Sequence, residues 1–486
     1  MPKRIVRLRP TAADVAPSAA GAQLTGRFAA IRAELKVPEG FPAQVSAEAT
    51  RVAGAPLESV DRDETAVPFL TIDPPGSMDL DQALHISRSG DGYRVRYAIT
   101  YLPRFVAPGG AVDAEARKRG QTVYCPDERA PLHPKALSEG VASLLPGAER
   151  TAYVWDLTLA ADGSTTATDL YRARVMSTDR MDYAEVQRAV DDGTADERLM
   201  LLQEVGERRI ALEAQRGGAS LPMPEQEVTE GPAGDFHLRF RPPVPCEEWN
   251  AQISLMTGMA AADLMLRAGV GILRTMPPAA PAAVERFRRH ARALGVEWPG
   301  GVAYGAFLRS LDRTNPKHLA LIHAATSLFR GAGYTPFDGT APAATEHAAV
   351  AAPYAHVTAP LRRLVDRFGL AVCAAVVGGS EVPAWAREAL PTLPAIMATS
   401  DHTASRVERE CTDTVEAAVL VDHLGEAFAG VLVERDERGA IVQLVDPAVV
   451  ARAQGPGELG ADVTATLTKA DVATSTVEFQ LSSVVG

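Results

Sequence analysis

Three aspartates stand close together in the segment TIDPPGSMDLDQALHI, residues 71–86. Asp73 follows the apolar run FLTI, and Asp79 and Asp81 come shortly after it. Because neighbouring carboxylates repel one another, a fold that keeps them together normally binds cations between them. Oxygen ligands at this density suit Mg²⁺, with Mn²⁺ as the alternative ion, and such sites in phosphate-ester hydrolases often hold two ions. The segment predicts a divalent-metal site, and a solvated acidic loop is the other interpretation.

The surrounding sequence narrows the kind of metal site. Asp79 and Asp81 are two positions apart in an extended stretch, which predicts that both side chains point to the same side. An EF-hand is excluded because the loop lacks glycine at its sixth position and glutamate at its twelfth. A phosphatase-type D-x-D site is weakly supported, since Asp79 follows PPGSM and not an apolar strand.

A second group of reactive side chains lies in YAHVTAPLRRLVDRFGLAV, residues 354–372. Thr358 is a candidate N-cap and Pro360 fits the first turn of a helix. This prediction puts Arg362 and Arg363 in the first helical turn, where the helix dipole disfavours cations. Two arginines at an unfavourable position indicate a function other than helix stability.

That function is phosphate binding in our interpretation. A guanidinium group can bind two phosphate oxygens at once, so Arg362 and Arg363 would hold a phosphate beside Tyr354 and His356. The alternative is that Asp366 and other local carboxylates neutralise both arginines.

Periodicity predicts the elements that position these residues. FLTI is a strand, and ALHIS and YRVRYAIT flanking SGDG form a hairpin, so the aspartates fall in a loop between strands. Long helices follow, including one that ends at Gly269. The last segment returns to short strands and has the right size for a five-stranded OB-type barrel. The chain is therefore α+β, with a small helical, winged-helix-like module at 1–60, a catalytic body at 61–423 and a barrel at 424–486.

Composition limits the classes of function. The chain has 486 residues, 46% of them hydrophobic and 23% charged, with a net charge of −12. No apolar run approaches the roughly 18 residues that cross a bilayer, and no signal peptide is recognisable, so we expect a cytoplasmic protein without membrane contact. The four cysteines have neither zinc-site nor disulfide-framework spacing. The negative charge implies that any nucleic-acid site is a local basic channel.

The motifs and their order resemble those of the ribonuclease II and ribonuclease R family. The catalytic RNB domain of that family carries T-I-D-x5-D-x-D-D-A, which stands here as TIDPPGSMDLDQA. The block from 105 to 150, the segment YAHVTAPLRRLVDR and the segment ASRVERECTD match further motifs in the same order. The resemblance implies an RNB fold with a C-terminal OB-type barrel over about residues 60 to 486.

The family implies an activity and a role for each matching position. It implies a Mg²⁺-dependent, monomeric 3′→5′ exoribonuclease that releases nucleoside 5′-monophosphates from single-stranded RNA with a free 3′ end. The implied metal ligands are Asp73, Asp79, Asp81 and Gln82, with Asp79, Asp81 and Arg362 as catalytic residues. The implied RNA-binding residues are Tyr124 and Tyr183, which stack on or orient the last bases, Arg362, which holds the scissile phosphate, and Glu408 near the 3′ end.

Several positions depart from the family pattern. The fourth aspartate of the motif is Gln82 here, an uncharged ligand that would bind one of the ions more weakly. Only about 60 residues precede the catalytic body, so the expected cold-shock-type barrels are missing. The acidic residue near EEWNAQISL corresponds either to Glu248 or to Asn250. Two other functions stay open: an RNA-binding protein without catalysis on the same scaffold, and a metal-dependent phosphatase of small molecules.

Overall fold

The computed structural model describes residues 6–8, 19–56, 58–60, 62–221, 223, 225–230, 236–436, 439–444 and 446–483. Its helices are α1 (Ala19–Glu34), α2 (Ala43–Ala53), α3 (Ala111–Arg119), α4 (Tyr183–Asp191), α5 (Glu197–Gln215), α6 (Pro245–Ala268), α7 (Pro281–Ala293), α8 (Tyr304–Arg309), α9 (Pro316–Ala325), α10 (Leu364–Val377), α11 (Ala384–Arg387) and α12 (Leu393–Leu420). Its strands are β1 (Val6–Leu8), β2 (Phe69–Ile72), β3 (Gln82–Ser89), β4 (Gly92–Thr100), β5 (Val123–Tyr124), β6 (Arg129–Ala130), β7 (Glu149–Leu159), β8 (Thr165–Met181), β9 (Glu225–Glu230), β10 (Phe236–Arg241), β11 (Val270–Thr275), β12 (Gly333–Asp338), β13 (Glu346–His347), β14 (Ala352–Pro353), β15 (Ala427–Asp436), β16 (Gly439–Leu444), β17 (Val450–Gln454), β18 (Asp462–Asp471) and β19 (Thr476–Ser483).

A closed five-stranded barrel, which we call the N-terminal barrel, forms the base of the site. Its strand order is β2-β3-β4-β7-β8, and β2 pairs with β8 in parallel. Successive side chains of a strand point to opposite faces. Ala98 accordingly packs in one buried cluster with Val154, while its neighbours Tyr97 and Ile99 pack in another with residues of α6. Both faces of β4 are therefore covered.

The predicted loop of aspartates lies where the sequence places it. β2 ends at Ile72 and β3 begins at Gln82, so residues 73–81 connect two neighbouring strands of the N-terminal barrel. The predicted hairpin is also confirmed. β3 and β4 pair in antiparallel register, with Gln82 opposite Ile99. Gly90 in its turn has a φ of 57°, a conformation that glycine adopts without strain.

The long helix predicted before Gly269 is α6. It buries Trp249, Ile253 and Met256 on one face and ends at Gly269, whose φ of 71° forms a left-handed cap. Its first turns lie close to the end of β2, so α6 brings polar side chains to the same end of the N-terminal barrel as the aspartates.

The second closed barrel, here the C-terminal barrel, confirms the predicted OB-type tail. Its order is β15-β16-β17-β19-β18, with β17 and β19 parallel. The 28-residue helix α12 precedes it and shares a buried cluster with it. Alternating burial along β18 explains why a period-two pattern identified the strands.

Residues 1–60 contain the predicted helices, which pack against the rest of the chain. Phe28 and Ile31 of α1 share a buried cluster with Val407 and Cys411 of α12. α2 packs instead on the α3 region. β1 pairs with β9, far along the chain. Helices that bury their apolar faces on α12 and α3 have not formed a core of their own, and the three-part domain division stays a prediction.

Two further findings concern the helices. Among the described residues, no helix combines the length and apolar character needed to cross a bilayer. The prediction that Thr358 caps a helix with Pro360 in its first turn is wrong, because α10 begins at Leu364 after an extended Arg363. Leu364 N donates to Gly120 O at 2.9 Å, and Gln121 and Arg363 form a β-bridge. This long-range pairing overrides the local capping signal.

Candidate active site

Asp81 joins two distant parts of the chain. It is the last residue of the acidic loop, our name for residues 73–81, and it is only 3% exposed. Its Oδ1 accepts a hydrogen bond from Leu361 N at 2.7 Å, and its Oδ2 lies 3.3 Å from Arg362 Nε. Burial raises its pKa well above the usual range despite the Arg362 charge. The acidic loop and Arg362 therefore converge, as the family resemblance implies.

Asp73 lies at the start of the acidic loop, directly after β2. Its N–H donates to Met181 O at 3.2 Å, which fixes the loop to the end of β8. Burial raises the pKa of its carboxyl to about 6, against the opposing charge of Arg362 and with a contribution from Asp79. A charged carboxylate that burial destabilises gains free energy when a divalent cation lies beside it.

Asp79 has an arginine partner that the sequence did not indicate. Its Oδ1 lies 2.5 Å from Arg129 Nη1, and Arg129 Nη2 lies 3.1 Å from Glu139 Oε1. The guanidinium thus bridges two carboxylates and turns Asp79 towards the β5–β6 hairpin. Asp79 still contributes to the raised pKa of both Asp73 and Asp81, so its charge reaches both of the other aspartates.

The donor set fits Mg²⁺ by its chemistry, although no finished cage is present. Within the described ranges, the structure contains no group of three or more carboxylate, histidine or cysteine side chains already arranged as metal ligands. Mg²⁺ usually keeps several waters and needs only one or two carboxylates from the protein. Asp73 and Asp81, both destabilised as anions by burial, meet that requirement, and Asp79 could join them by leaving Arg129.

Gln82, a predicted metal ligand, uses both ends of its amide within the protein. Its Nε2 donates to Thr358 O at 2.8 Å, and its Oε1 accepts from Tyr97 Oη at 2.9 Å. Tyr97 Oη also contacts Ser254 Oγ of α6 at 2.8 Å. One acceptor site of the amide oxygen is therefore occupied by the tyrosine hydroxyl.

Residues 358–362, which we call the arginine turn, are tied to other elements along their whole length. Leu361 N donates to Asp81, Ala359 N donates to Asp366 Oδ1 at 2.7 Å, and Thr122 N donates to Arg362 O at 2.9 Å. A short turn with so many long-range hydrogen bonds has little freedom to move. It presents the Arg362 side chain, 45% exposed, above Asp81.

The electrostatics of Arg362 follow from this placement. Burial is the largest single influence and lowers the pKa of its guanidinium, but Asp81, Tyr124 and Asp73 together outweigh it and raise the pKa. The group is permanently charged, and its exposed part can bind further oxygens with the planar geometry that suits phosphate.

The structure does not support a phosphate role for Arg363, Tyr354 and His356. Arg363 forms two hydrogen bonds with Asp366, at 2.8 and 2.9 Å, which is the alternative that the sequence left open. Tyr354 is 8% exposed. His356 Nδ1 contacts Tyr334 Oη at 2.8 Å, and burial lowers its pKa well below the usual range, so it carries no positive charge for a phosphate. Arg363 and His356 are engaged within the protein and Tyr354 is buried, and a phosphate role for these three residues stays a prediction.

Tyr124 lies on the short hairpin of β5 and β6, directly opposite Arg129 in the register. It is 51% exposed, an unusual value for a large aromatic side chain. Burial around its hydroxyl nevertheless raises the pKa of the phenol to about 12, with contributions from Asp79 and Asp81 against Arg362. The ring is therefore open to solvent close to these charges, and its stacking on an RNA base stays a prediction.

Tyr183 lies on the other side of the acidic loop, at the first position of α4. Burial raises its pKa to about 12, and Asp73 contributes to the increase. Asn250 Nδ2 lies 3.5 Å from Tyr183 Oη and 3.4 Å from Ile72 O. Glu248 forms an ion pair with Arg313 instead. Of the two residues that the sequence left open, Asn250 is the one beside the site.

Glu408 lies on α12, which packs against β5. It is seven residues beyond Asp401, so both side chains lie on the same helix face. Asp401 Oδ1 accepts from Gln121 Nε2 at 3.0 Å, beside the strand that leads to Tyr124. Glu408 therefore lies on the face of α12 directed at the hairpin, and its contact with an RNA end stays a prediction.

The sequence did not single out several residues of the site. Arg129 and His133, whose ring donates to Pro360 O, both fall in the block from 105 to 150, and no pattern within that block marks either residue. Tyr97 looked like an ordinary strand residue. Nothing in their local sequence distinguishes them, because their partners are far away in the chain.

Two family models match the chain. The model described as RNB domain matches residues 61–372, and the model described as RNase II-type exonuclease C-terminal S1 domain matches residues 426–482. These ranges include the N-terminal barrel, the acidic loop and the arginine turn in the first case, and the C-terminal barrel in the second.

Curated relatives agree with this assignment. Ribonuclease R of Escherichia coli is 25% identical over 418 residues, which cover 78% of this chain and 49% of the relative. The exosome complex exonuclease RRP44 homolog A of Arabidopsis thaliana is 28% identical over 333 residues, which cover 64% of this chain and 35% of the relative. The chain thus matches between a third and a half of the length of these relatives.

Solved structures show the same fold. Mycoplasma genitalium RNase R in complex with ribose-methylated single-stranded RNA has a TM-score of 0.84 at 15% identity, covering 99% of this chain and 85% of that one. A yeast protein described as a pseudonuclease has a TM-score of 0.69 at 15% identity, covering 90% and 57%. With one family model matching well over half of its residues, the chain belongs to the RNB-domain family.

Proposed function

We propose that this protein is a Mg²⁺-dependent 3′→5′ exoribonuclease that removes nucleoside 5′-monophosphates from single-stranded RNA. The observation that carries the proposal is the convergence at Asp81: its two oxygens face Leu361 N at 2.7 Å and Arg362 Nε at 3.3 Å. A buried carboxylate and an exposed guanidinium held together in this way suit the two demands of phosphodiester hydrolysis, a metal ligand and a phosphate ligand.

The acidic loop would hold the metal. Asp73 and Asp81 are the first ligands, with Asp79 after it leaves Arg129. When bound there, Mg²⁺ would activate water and neutralise charge on the phosphate oxygens. Mn²⁺ prefers similar oxygen ligands and is the expected substitute.

The arginine turn would hold the scissile phosphate. Arg362 is fixed by the backbone bonds of the turn, so little side-chain and backbone freedom is lost when RNA binds. Its charge also stabilises the additional negative charge of the transition state. Both effects need the turn to keep its position relative to Asp81.

Aromatic side chains would bind the RNA end without regard to its sequence. Tyr124 offers an exposed ring, and every base has a face that can stack on it, for about 1–3 kcal/mol per base. Tyr183 with Asn250 would orient the last nucleotide beside Asp73, and Glu408 would approach from α12. A single chain provides all of these groups, which favours a monomer.

A second candidate is an RNA-binding protein without catalysis. The yeast relative of the same fold is described as a pseudonuclease, and Gln82 replaces one aspartate of the family motif. Asp73, Asp79, Asp81 and Arg362 are all present, however, and this favours catalysis.

One experiment separates the candidates. The wild type, Asp81→Asn and the matched control Asp91→Asn, in the exposed turn between β3 and β4, are incubated with 5′-labelled single-stranded RNA and Mg²⁺. A second substrate carries a 3′-phosphate. Stepwise shortening of the free-ended RNA by the wild type and the control, but not by Asp81→Asn, supports the proposal. RNA binding without shortening supports the non-catalytic alternative. If the wild type neither shortens nor binds the RNA, both candidate functions are wrong.

A further inference from the structure

Gln82 occupies the position at which the sequence departs from the family motif, directly after Asp81. It is the first residue of β3 and pairs with Ile99 of β4, so its backbone is fixed by the N-terminal barrel. Its side chain extends from this fixed point to the arginine turn. There its Nε2 lies 2.8 Å from Thr358 O.

The chemistry of both partners determines the orientation of the amide. A backbone carbonyl such as Thr358 O can only accept, so the amide nitrogen has to face it. The amide oxygen then faces Tyr97 Oη at 2.9 Å, and this hydroxyl also contacts Ser254 Oγ. The result is a continuous line of hydrogen bonds from α6 through Gln82 to the arginine turn.

A carboxylate could not replace this amide. Aspartate and glutamate are acceptors only when they are ionised, so either would place negative charge against the lone pairs of Thr358 O. The cost of an unmade hydrogen bond would be added to that repulsion. The amide is the required group at this place because it donates on one side and accepts on the other.

Asp81 and Gln82 bind the same turn from adjacent positions. Asp81 accepts from Leu361 N near the end of the arginine turn, while Gln82 donates to Thr358 O at its start. The two side chains therefore fix the turn at both ends, and Arg362 follows directly after the second contact.

Resting on the proposed function, we propose that Gln82 is a positioning residue that holds Arg362 against the RNA phosphate and does not ligate the metal. The position that carries the fourth carboxylate in the family motif thus serves the phosphate-binding side of the site in this chain. Carboxylate ligation of the metal is left to Asp73, Asp79 and Asp81.

The test uses RNA binding without metal and metal binding without RNA. Gln82→Met keeps the approximate volume and removes both hydrogen bonds, and Gln82→Glu keeps the length but cannot donate when ionised. RNA affinity is measured in EDTA with a fluorescent single-stranded oligonucleotide, and Mn²⁺ affinity is measured by calorimetry. We expect both variants to weaken RNA binding by about fivefold to tenfold, because both lose the bond to Thr358 O that positions the arginine turn, and Gln82→Met to leave Mn²⁺ affinity within about twofold.

A double-mutant cycle shows whether Gln82 acts through Arg362. In the Arg362→Ala background, Gln82→Met should weaken RNA binding by less than about twofold, because the side chain it positions is gone. An equal loss in both backgrounds would overturn the positioning role. Circular dichroism and thermal unfolding identify a misfolded variant, and Gln82→Glu, which keeps a polar side chain, then supplies the comparison.

The outcomes separate this inference from the proposed function. If Gln82→Met weakens Mn²⁺ binding tenfold and leaves RNA binding unchanged, Gln82 is a metal ligand and the inference is wrong while the nuclease proposal stands. If the wild type binds RNA and all Gln82 variants bind it equally well, the inference alone fails. If the wild type binds no RNA, the proposed function fails and the inference fails with it.

Discussion

The acidic loop and the arginine turn meet at Asp81, but they are stabilised in different ways. The acidic loop gathers carboxylates whose charge burial disfavours, as the raised pKa values of Asp73 and Asp81 indicate. The arginine turn is fixed by hydrogen bonds from the acidic loop, from the strand that leads to Tyr124 and from α10. One region therefore needs a cation to reach its working form, while the other is already complete.

This difference predicts two classes of variant. Changes in the acidic loop should act through the metal, so their effects should depend on the Mg²⁺ concentration. Changes at the arginine turn should weaken RNA binding even when EDTA has removed all metal. Four variants with matched controls test that division.

Asp81→Asn should have the largest effect, because Asp81 belongs to both regions. We expect the single-turnover rate to fall by about a thousandfold, through loss of a metal ligand and of the charge that faces Arg362. Quenched-flow assays with 5′-labelled RNA at saturating Mg²⁺ measure the rate. Asp91→Asn is the matched control, and a loss of less than tenfold for Asp81→Asn would contradict its central place.

Arg362→Ala should lower the rate by about a hundredfold and also weaken RNA binding in EDTA. The guanidinium is lost while the backbone bonds of the arginine turn remain, so metal affinity should change little. Fluorescence anisotropy in EDTA checks the binding. Arg88→Ala, which removes an exposed arginine paired with Glu204, controls for a general loss of positive charge. Unchanged RNA affinity would remove the turn from the binding site.

Tyr124→Ala should weaken RNA binding by about tenfold and lengthen the final undegraded fragment, because one stacking surface is lost. Tyr124→Phe keeps the ring and should retain nearly all of the affinity. Gel analysis of the end products and anisotropy in EDTA provide the two measurements. Equal losses for Ala and Phe would mean that the hydroxyl, and not the ring, is the binding group.

Arg129→Met should have the smallest effect of the four variants, and it should improve Mg²⁺ binding where the others impair function. Arg129 competes with a cation for Asp79, so its removal should move the Mg²⁺ half-saturation to about threefold lower concentration. Arg94→Met, which breaks an Arg–Asp pair elsewhere in the N-terminal barrel, is the control. A higher Mg²⁺ requirement would show that Arg129 positions Asp79 for the metal.

Local sequence patterns were sufficient for the parts of the fold in which neighbours in sequence determine the structure. The C-terminal barrel follows from period-two strands, and the position of the acidic loop follows from the strand before it and the hairpin after it. α6 could be predicted to its last residue because Gly269 provides a local stop signal. In each case the sequence signal that identified the element lies within a few residues of it.

The contacts of the site could not be predicted from local sequence patterns. Leu361 and Asp81 are 280 positions apart, and only the family resemblance indicated that they meet. The false N-cap at Thr358 has the same origin, since pairing of Arg363 with Gln121 decides where α10 begins. The sequence did not indicate that Arg129 pairs with Asp79, because no nearby residue distinguishes Arg129 from a surface arginine.

In the proposed site, the acidic loop and the arginine turn act on the same RNA phosphate with a metal ion between them. Single-turnover cleavage of RNA with one sulfur atom in its 3′-terminal linkage tests this arrangement. Sulfur binds Mg²⁺ poorly and softer ions better, so the account predicts slow cleavage of one phosphorothioate isomer in Mg²⁺ and recovery in Mn²⁺. Equal rates for the sulfur-containing and normal linkages in both ions would contradict it.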